Sequence, residues 1–248
     1  MPRPEINTFF DINTFPEDEG LLIFGISMSR IANAQSAEAY FAYLKELDTK
    51  ILKTEGIGAI FWYGDYLYFL SSDPAQDLRT RFLALMFQHK NGLLKILKKH
   101  VEWIPKAFSF TTFGQLLLDN SHVFAGAYKK ILGVYKKDTL FQKYVMEDCR
   151  EADKGTNIAQ QTFFLEEITC LYLASKGKLV LKNDFLNGHE KWILHCYPGK
   201  PLKSEVYLYQ LNPLNLNNPV NKYEDCYYDL EAKKLYDYRR IDLATLHT

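Results

Sequence analysis

Ser27 is the residue of this chain whose type and setting most readily suggest chemistry. It belongs to the stretch Leu21-Leu22-Ile23-Phe24-Gly25-Ile26-Ser27-Met28-Ser29-Arg30, where an apolar run meets a glycine and then polar residues. A hydroxyl just past such a run stands at the mouth of whatever pocket the run helps to form. Gly25 lets a ligand approach the backbone closely. A serine hydroxyl is a weak nucleophile that its surroundings must activate; on its own it reads as a loop or capping residue. Two distant stretches supply further candidates. Glu167 follows Phe163 by four residues in a helical pattern, so the two share a face. A carboxylate there either binds a cation or faces solvent, as its neighbour Glu166 illustrates. Tyr197 ends the run Trp192-Ile193-Leu194-His195-Cys196-Tyr197, which Pro198-Gly199 stops.

Several other chemistries fit poorly. A hydrolase nucleophile elbow needs Gly-x-Ser-x-Gly, and Ser29 occupies the last position. No acid-then-His order stands out, although His195 and His247 exist. No GxGxxG follows the first apolar run, which disfavours a dinucleotide enzyme. The cysteines 149, 170, 196 and 226 have no CxxC spacing, which argues against a zinc site and against a disulfide scaffold. The net charge is zero over 248 residues, so any contact with nucleic acid has to come from a local patch. No run reaches membrane-spanning length, and residues 1–20 lack a signal-peptide layout. A cytoplasmic, reduced protein is expected.

The elements that would position these residues read as alternating strands and helices, hence an α/β class. A continuous apolar run over 20–26 predicts a strand buried on both faces, as in a parallel sheet. Ser36 can cap a helix to about residue 54, with Tyr40, Tyr43, Leu44, Leu47 and Ile51 on one face. Residues 59–63 read as the second strand of a βαβ unit. Residues 66–70 are a short strand or an aromatic lid. A helix over about 75–101 carries the one charge asymmetry: from Arg79 to Lys106 there are seven Lys or Arg and a single acid, Glu102. Lys95, Lys98 and Lys99 share a face there, either as a solvated surface or as a footprint for a phosphate backbone. Residues 103–105 break that helix, and 108–110 form a short strand. Helices follow at about 113–119, 121–132, 138–153 and 157–176, the last with Gly177 in C′ position. Residues 178–181 are a strand or extended loop, and Asn187-Gly188 marks a turn. The run 192–197 is a buried strand. Val206-Tyr207-Leu208-Tyr209 reads as an edge strand, 212–221 as a loop, and 224–248 as surface-packed or partly ordered. No internal repeat is present.

The strand with Gly25-Ile26-Ser27, the helix with Glu167 and the strand ending Cys196-Tyr197-Pro198 together resemble the tRNA-dependent cyclodipeptide synthases. The resemblance covers roughly residues 20–202. It implies a Rossmann-like, mainly parallel sheet flanked by helices, like a class I aminoacyl-tRNA synthetase catalytic domain without ATP activation. Residues 1–19 would be an arm and 203–248 an extension packed on the same domain. The family joins two aminoacyl-tRNA-borne amino acids into a cyclic dipeptide by a ping-pong route. By position, Ser27 is its nucleophile, and Glu167 holds the substrate α-ammonium by a charge-assisted hydrogen bond. Tyr197 matches one active-site tyrosine. The other falls on Phe163, a departure that removes a hydroxyl and any proton path through it. Arg30 and Pro198 match the branch with Pro after the tyrosine. The first aminoacyl pocket is implied at Ile23, Gly25 and residues 60–63, with Phe61 and Tyr63 as aromatic walls. Lys90, Lys95, Lys98 and Lys99 fall on the family's tRNA-binding helix. Two aminoacyl-tRNAs per product are the implied partners; no cofactor, metal or membrane is expected, and a monomer is. A non-catalytic tRNA- or anion-binding module on the same scaffold is the alternative that Phe163 favours, and a serine hydrolase is a third.

Overall fold

The structure, a computed structural model, describes residues 20–28, 30–50, 58–64, 78–100, 107–151, 158–175, 192–211, 222–229, 231–232 and 234–246. The expected arm over 1–19, the stretch 66–70, the break at 103–105, Gly177, residues 178–181, the Asn187-Gly188 turn and the loop 212–221 lie outside these.

The apolar run over Gly20–Ile26 forms β1, and Gly58–Tyr63 forms β2. Ala107–Thr112 is β3, Trp192–Pro198 β4, Lys222–Asp229 β5 and Lys234–Asp237 β6. They make one sheet in the order β3-β2-β1-β4-β5-β6. All neighbours run parallel except β5 and β6. The chain therefore builds outward from β1 in one direction, returns, and builds outward in the other. The reversal leaves a crevice at the carboxyl ends of β1 and β4, where open α/β sheets bind ligands.

Helices cover both faces. Ala37–Lys50 is α1 and Leu78–Leu97 is α2. Their Tyr40, Tyr43, Leu44, Leu93 and Leu97 pack with Leu22, Phe24, Phe61 and Tyr63 of the strands. The helices of the other face are Phe113–Asp119 (α3), Ser121–Lys137 (α4), Thr139–Glu151 (α5), Ile158–Ser175 (α6) and Lys203–Leu211 (α7). They contribute Phe113, Ile131, Phe141, Phe163 and Leu208 to a core with Ile23, Ile60 and Trp62. The fold is α/β and Rossmann-like, as expected. No helix among the described residues is long and apolar enough to cross a membrane.

Two expectations for the last part of the chain change. Residues 206–209 belong to α7, not to an edge strand. Asp148 of α5 accepts the backbone N–H groups of Lys203 and Ser204 at 2.8 and 2.9 Å, which satisfies orphan donors of the helix N-terminus. Residues 222–229 and 234–237 extend the sheet, with Cys226 and Tyr228 fully buried. Burial between α1 and the sheet outweighs the mixed polarity that suggested a surface segment.

Candidate active site

Strand alternation decides what faces the crevice. On β1, Ile23 and Gly25 point to the α3–α7 side, whereas Leu22, Phe24 and Ile26 point to the α1–α2 side. On β2 the same rule sends Trp62 to the crevice and Phe61 and Tyr63 away from it. The crevice deepens into a cavity of about 270 Å³. Gly25, Ser27 and Arg30 line it from β1 and the following turns, Phe163, Phe164, Glu167 and Leu171 from α6, and His195 and Tyr197 from β4. Trp62, Phe113, Asp148, Lys200 and Glu205 complete its wall.

The turn after β1 is held from several sides. The Ser27 backbone N–H donates to Gln35 Oε1 at 2.7 Å, and Gln35 Nε2 donates to the Pro198 carbonyl at 2.9 Å. One buried side chain thus ties the ends of β1 and β4 together. The Gln35 carbonyl can only accept, so His89 Nε2, 2.8 Å away, carries the hydrogen. His89 Nδ1 then accepts from the Tyr63 hydroxyl at 2.9 Å. Burial lowers the His89 pKa, with the Gln35 carbonyl and Glu38 offsetting part of the effect, which favours this neutral ring. Tyr40 donates its hydroxyl to the Gly25 carbonyl at 3.0 Å.

Ser27 and Glu167 both act on Tyr197 at this cavity. The Ser27 hydroxyl hydrogen-bonds the Tyr197 phenol. Burial raises that phenol's pKa and Glu167 adds to the rise, while Arg30 and the bonds with Ser27 and Gln35 oppose it. The phenol is therefore held protonated, a donor at neutral pH. The Arg30 guanidinium stands 5.9 Å from the Tyr197 ring centroid. Its place depends on Gly199, where a Cβ would come 2.0 Å from Arg30 Nη1 and the φ is +133°. Gly25 is needed for a related reason: a Cβ there would lie 3.0 Å from Tyr197 Cδ2. The space above Gly25 is filled by the protein's own tyrosine.

Of the residues singled out in the sequence, Ser27, Gly25, Arg30, Phe163, Glu167 and Tyr197 meet around this cavity. Ile23 packs in the core on the same face, and Pro198 is buried and offers its carbonyl to Gln35. Phe61 and Tyr63 do not reach the cavity. They stack with Phe24 and Phe110 on the far side of the sheet, one residue out of phase with Trp62. Lys90, Lys95, Lys98 and Lys99 are exposed on α2 and the turn after it, in the layer opposite the cavity. Lys90 Nζ lies 5.2 Å from the Phe110 ring centroid.

Solved structures of cyclodipeptide synthases share this architecture. One from Fluoribacter dumoffii aligns with a TM-score of 0.56 over 86% of this chain and 90% of its own, at 12% identity. Another from Staphylococcus haemolyticus gives 0.52 over 83% and 89%, also at 12% identity. The fold is that of the cyclodipeptide synthases. No family model and no curated protein matches the sequence. On this cyclodipeptide synthase fold, sequence reading held Trp62 only within the range 60–63, with Phe61 and Tyr63 singled out in its place, and missed His195, Glu205 and Gln35. His195 was legible in principle, because it stands two residues before Tyr197 on the same strand. Glu205 and Gln35 reach the site from α7 and a turn, with no periodic signal.

Proposed function

We propose that this protein is a cyclodipeptide synthase acting on two aminoacyl-tRNAs. The reading rests on one observation above the rest: Ser27, Glu167 and Tyr197, widely separated in the chain, share one cavity at the switch point of this fold. Ser27 Oγ attacks the ester carbonyl of the first aminoacyl-tRNA. The bond to the tRNA ribose oxygen breaks, and that oxygen leaves with the serine proton. An aminoacyl ester is already activated, so the demand on the serine is modest. The amine of the serine-bound aminoacyl group then attacks the second aminoacyl ester and releases the second tRNA. The new terminal amine finally attacks the serine ester, closing the six-membered ring and restoring Ser27.

Glu167 holds an α-ammonium, and Tyr197 donates toward the Ser27 oxygen as it leaves in the last step. With Phe163 in place of a tyrosine, position 163 offers the cavity no hydroxyl, and Tyr197 carries the phenol chemistry alone. The exposed lysines of α2 serve the tRNA backbone and contribute no sequence readout.

The test is the intact mass of the protein after mixing with charged tRNA, beside mass spectrometry of medium from producing cells. The expected results are an aminoacyl mass increment on the protein and cyclic dipeptides in the medium. Ser27→Ala abolishes both, a loss of at least ~10³-fold for a deleted nucleophile. Retained tRNA binding without any increment in the unaltered chain favours the binding module suggested by Phe163.

A further inference from the structure

Below Ser27 the cavity wall is mostly apolar, made of Phe113, Phe163, Phe164 and Leu171, but its floor is not. His195 stands two residues before Tyr197 on the same face of β4, about 6.6 Å deeper. Its Nε2 lies 3.6 Å from where a Cβ on Gly25 would stand. Its Nδ1 lies 4.0 Å from Glu205 Oε1, and each of the two side chains is only 9% exposed. Beside it is Trp62, 3% exposed, with ring centroids 6.4 Å apart. The Trp62 indole N–H is buried and has no hydrogen-bond partner among the described residues. A buried donor left unpaired costs ~1–3 kcal/mol. Trp62 lines the same cavity as Ser27.

We propose that Trp62 and His195 select the first aminoacyl group by its side chain, and that this side chain is polar and uncharged, an amide or a hydroxyl. The inference rests on the synthase reading above. An acceptor on the substrate satisfies the Trp62 N–H, and the same small group reaches the His195 ring. An aliphatic side chain leaves the indole unpaired. A carboxylate side chain meets Glu205 and Glu167 at close quarters. An ammonium side chain offers Trp62 no acceptor. Sites built to hydrogen-bond a substrate reject analogues that lack the group far more strongly than apolar pockets reject a missing methylene.

The experiment offers the purified full-length protein a mixture of tRNAs charged with all the common amino acids. It reads the mass increment on Ser27 and the masses of the cyclic dipeptides. The unaltered protein is expected to carry a serine, threonine, tyrosine, asparagine or glutamine residue. Trp62→Phe and His195→Leu each shift the ratio of polar to aliphatic acyl-enzyme toward aliphatic by at least ~10-fold. Trp62→Phe removes an unpaired donor, which offsets part of the lost ring volume, so it is the variant expected to stay folded where His195→Leu does not. An aliphatic or charged acyl group on the unaltered protein overturns the inference and leaves the synthase reading standing. An unchanged ratio in a folded Trp62→Phe protein overturns it as well. No increment and no cyclic dipeptide overturn both.

Discussion

Both faces of the sheet pack aromatic side chains, but they treat their polar atoms differently. On the α1–α2 face most of the described polar ends close on one another, the buried Tyr228 hydroxyl being an exception. Tyr63 donates to His89, His89 to the Gln35 carbonyl, Tyr40 to the Gly25 carbonyl, and the Tyr43 hydroxyl meets Cys196 Sγ at 3.1 Å. On the α3–α7 face, Trp62 keeps an unpaired N–H and four acidic side chains, Asp148, Glu151, Glu167 and Glu205, border one cavity. Burying polar atoms is tolerable only when they are paired. The first face therefore reads mainly as structural support, whereas on the second the leftover donor belongs to a residue that lines the cavity, beside an Asp148 that caps α7.

His89→Ala breaks the comparison on its closed side. It leaves the Tyr63 hydroxyl and the Gln35 carbonyl unpaired and opens a cavity, so it should cost about 3 kcal/mol, or ~6–12 °C in Tm. Trp62→Phe on the open side loses ring volume but also removes a buried unpaired donor, two effects of opposite sign, so it should move Tm by less than ~2 °C. Equal losses in thermal denaturation would mean that the two faces are not built differently. The outer surface of the closed face is tested next. Changing Lys95, Lys98 and Lys99 together to Ala should weaken tRNA binding by ~10–100-fold near physiological salt and lower the slope of log K against log salt by about 2–3. A salt slope equal to that of the parent would exclude α2 from the RNA contact.

The smallest effect concerns Glu166, whose Oε2 is buried without a partner among the described residues and whose pKa burial raises to about 7. A folded-state pKa above the unfolded value means that the folded chain binds more protons in between. Stability then falls as pH rises from about 4.5 to about 7 and is level above that. Asp148, raised by burial to about 6, acts in the same direction over a lower range. Glu166→Gln should leave Tm unchanged at pH 4 and raise it by ~2–4 °C at pH 8, about 1 kcal/mol. Superimposable profiles would mean that the carboxylate reaches solvent.

The parallel core was legible because β1, β2 and β4 are continuous apolar runs with turn residues after them. That same continuity hid which residues face the cavity. In Ala59-Ile60-Phe61-Trp62-Tyr63 every side chain is apolar or aromatic, so the sequence carries no alternation to separate the Trp62 side from the Phe61 and Tyr63 side. Only the register against Gly25 resolves it, through the pairing of Gly25 with Trp62. The helix at 203–211 was missed because its cap, Asp148, lies far back in the chain, while Val-Tyr-Leu-Tyr favours a strand locally. Strand β5 was missed because Glu224, Asp225 and Asp229 mask a buried Cys226 and Tyr228.

The central position of β1 also bears on how the chain comes to be folded. Gly20 of β1 pairs with Trp192 of β4, so a loop of most of the chain must close before the first strand has both neighbours. Closing it costs about 4–5 kcal/mol of chain entropy, and pairings of such sequence separation form slowly. During synthesis Ser27 emerges well before the β4 wall that faces it, since Tyr197 follows it by 170 residues. A chain released before then exposes an apolar strand edge that pairs readily with other chains. Premature termination should therefore yield insoluble fragments and not a partly formed site with loose acyl-transfer activity.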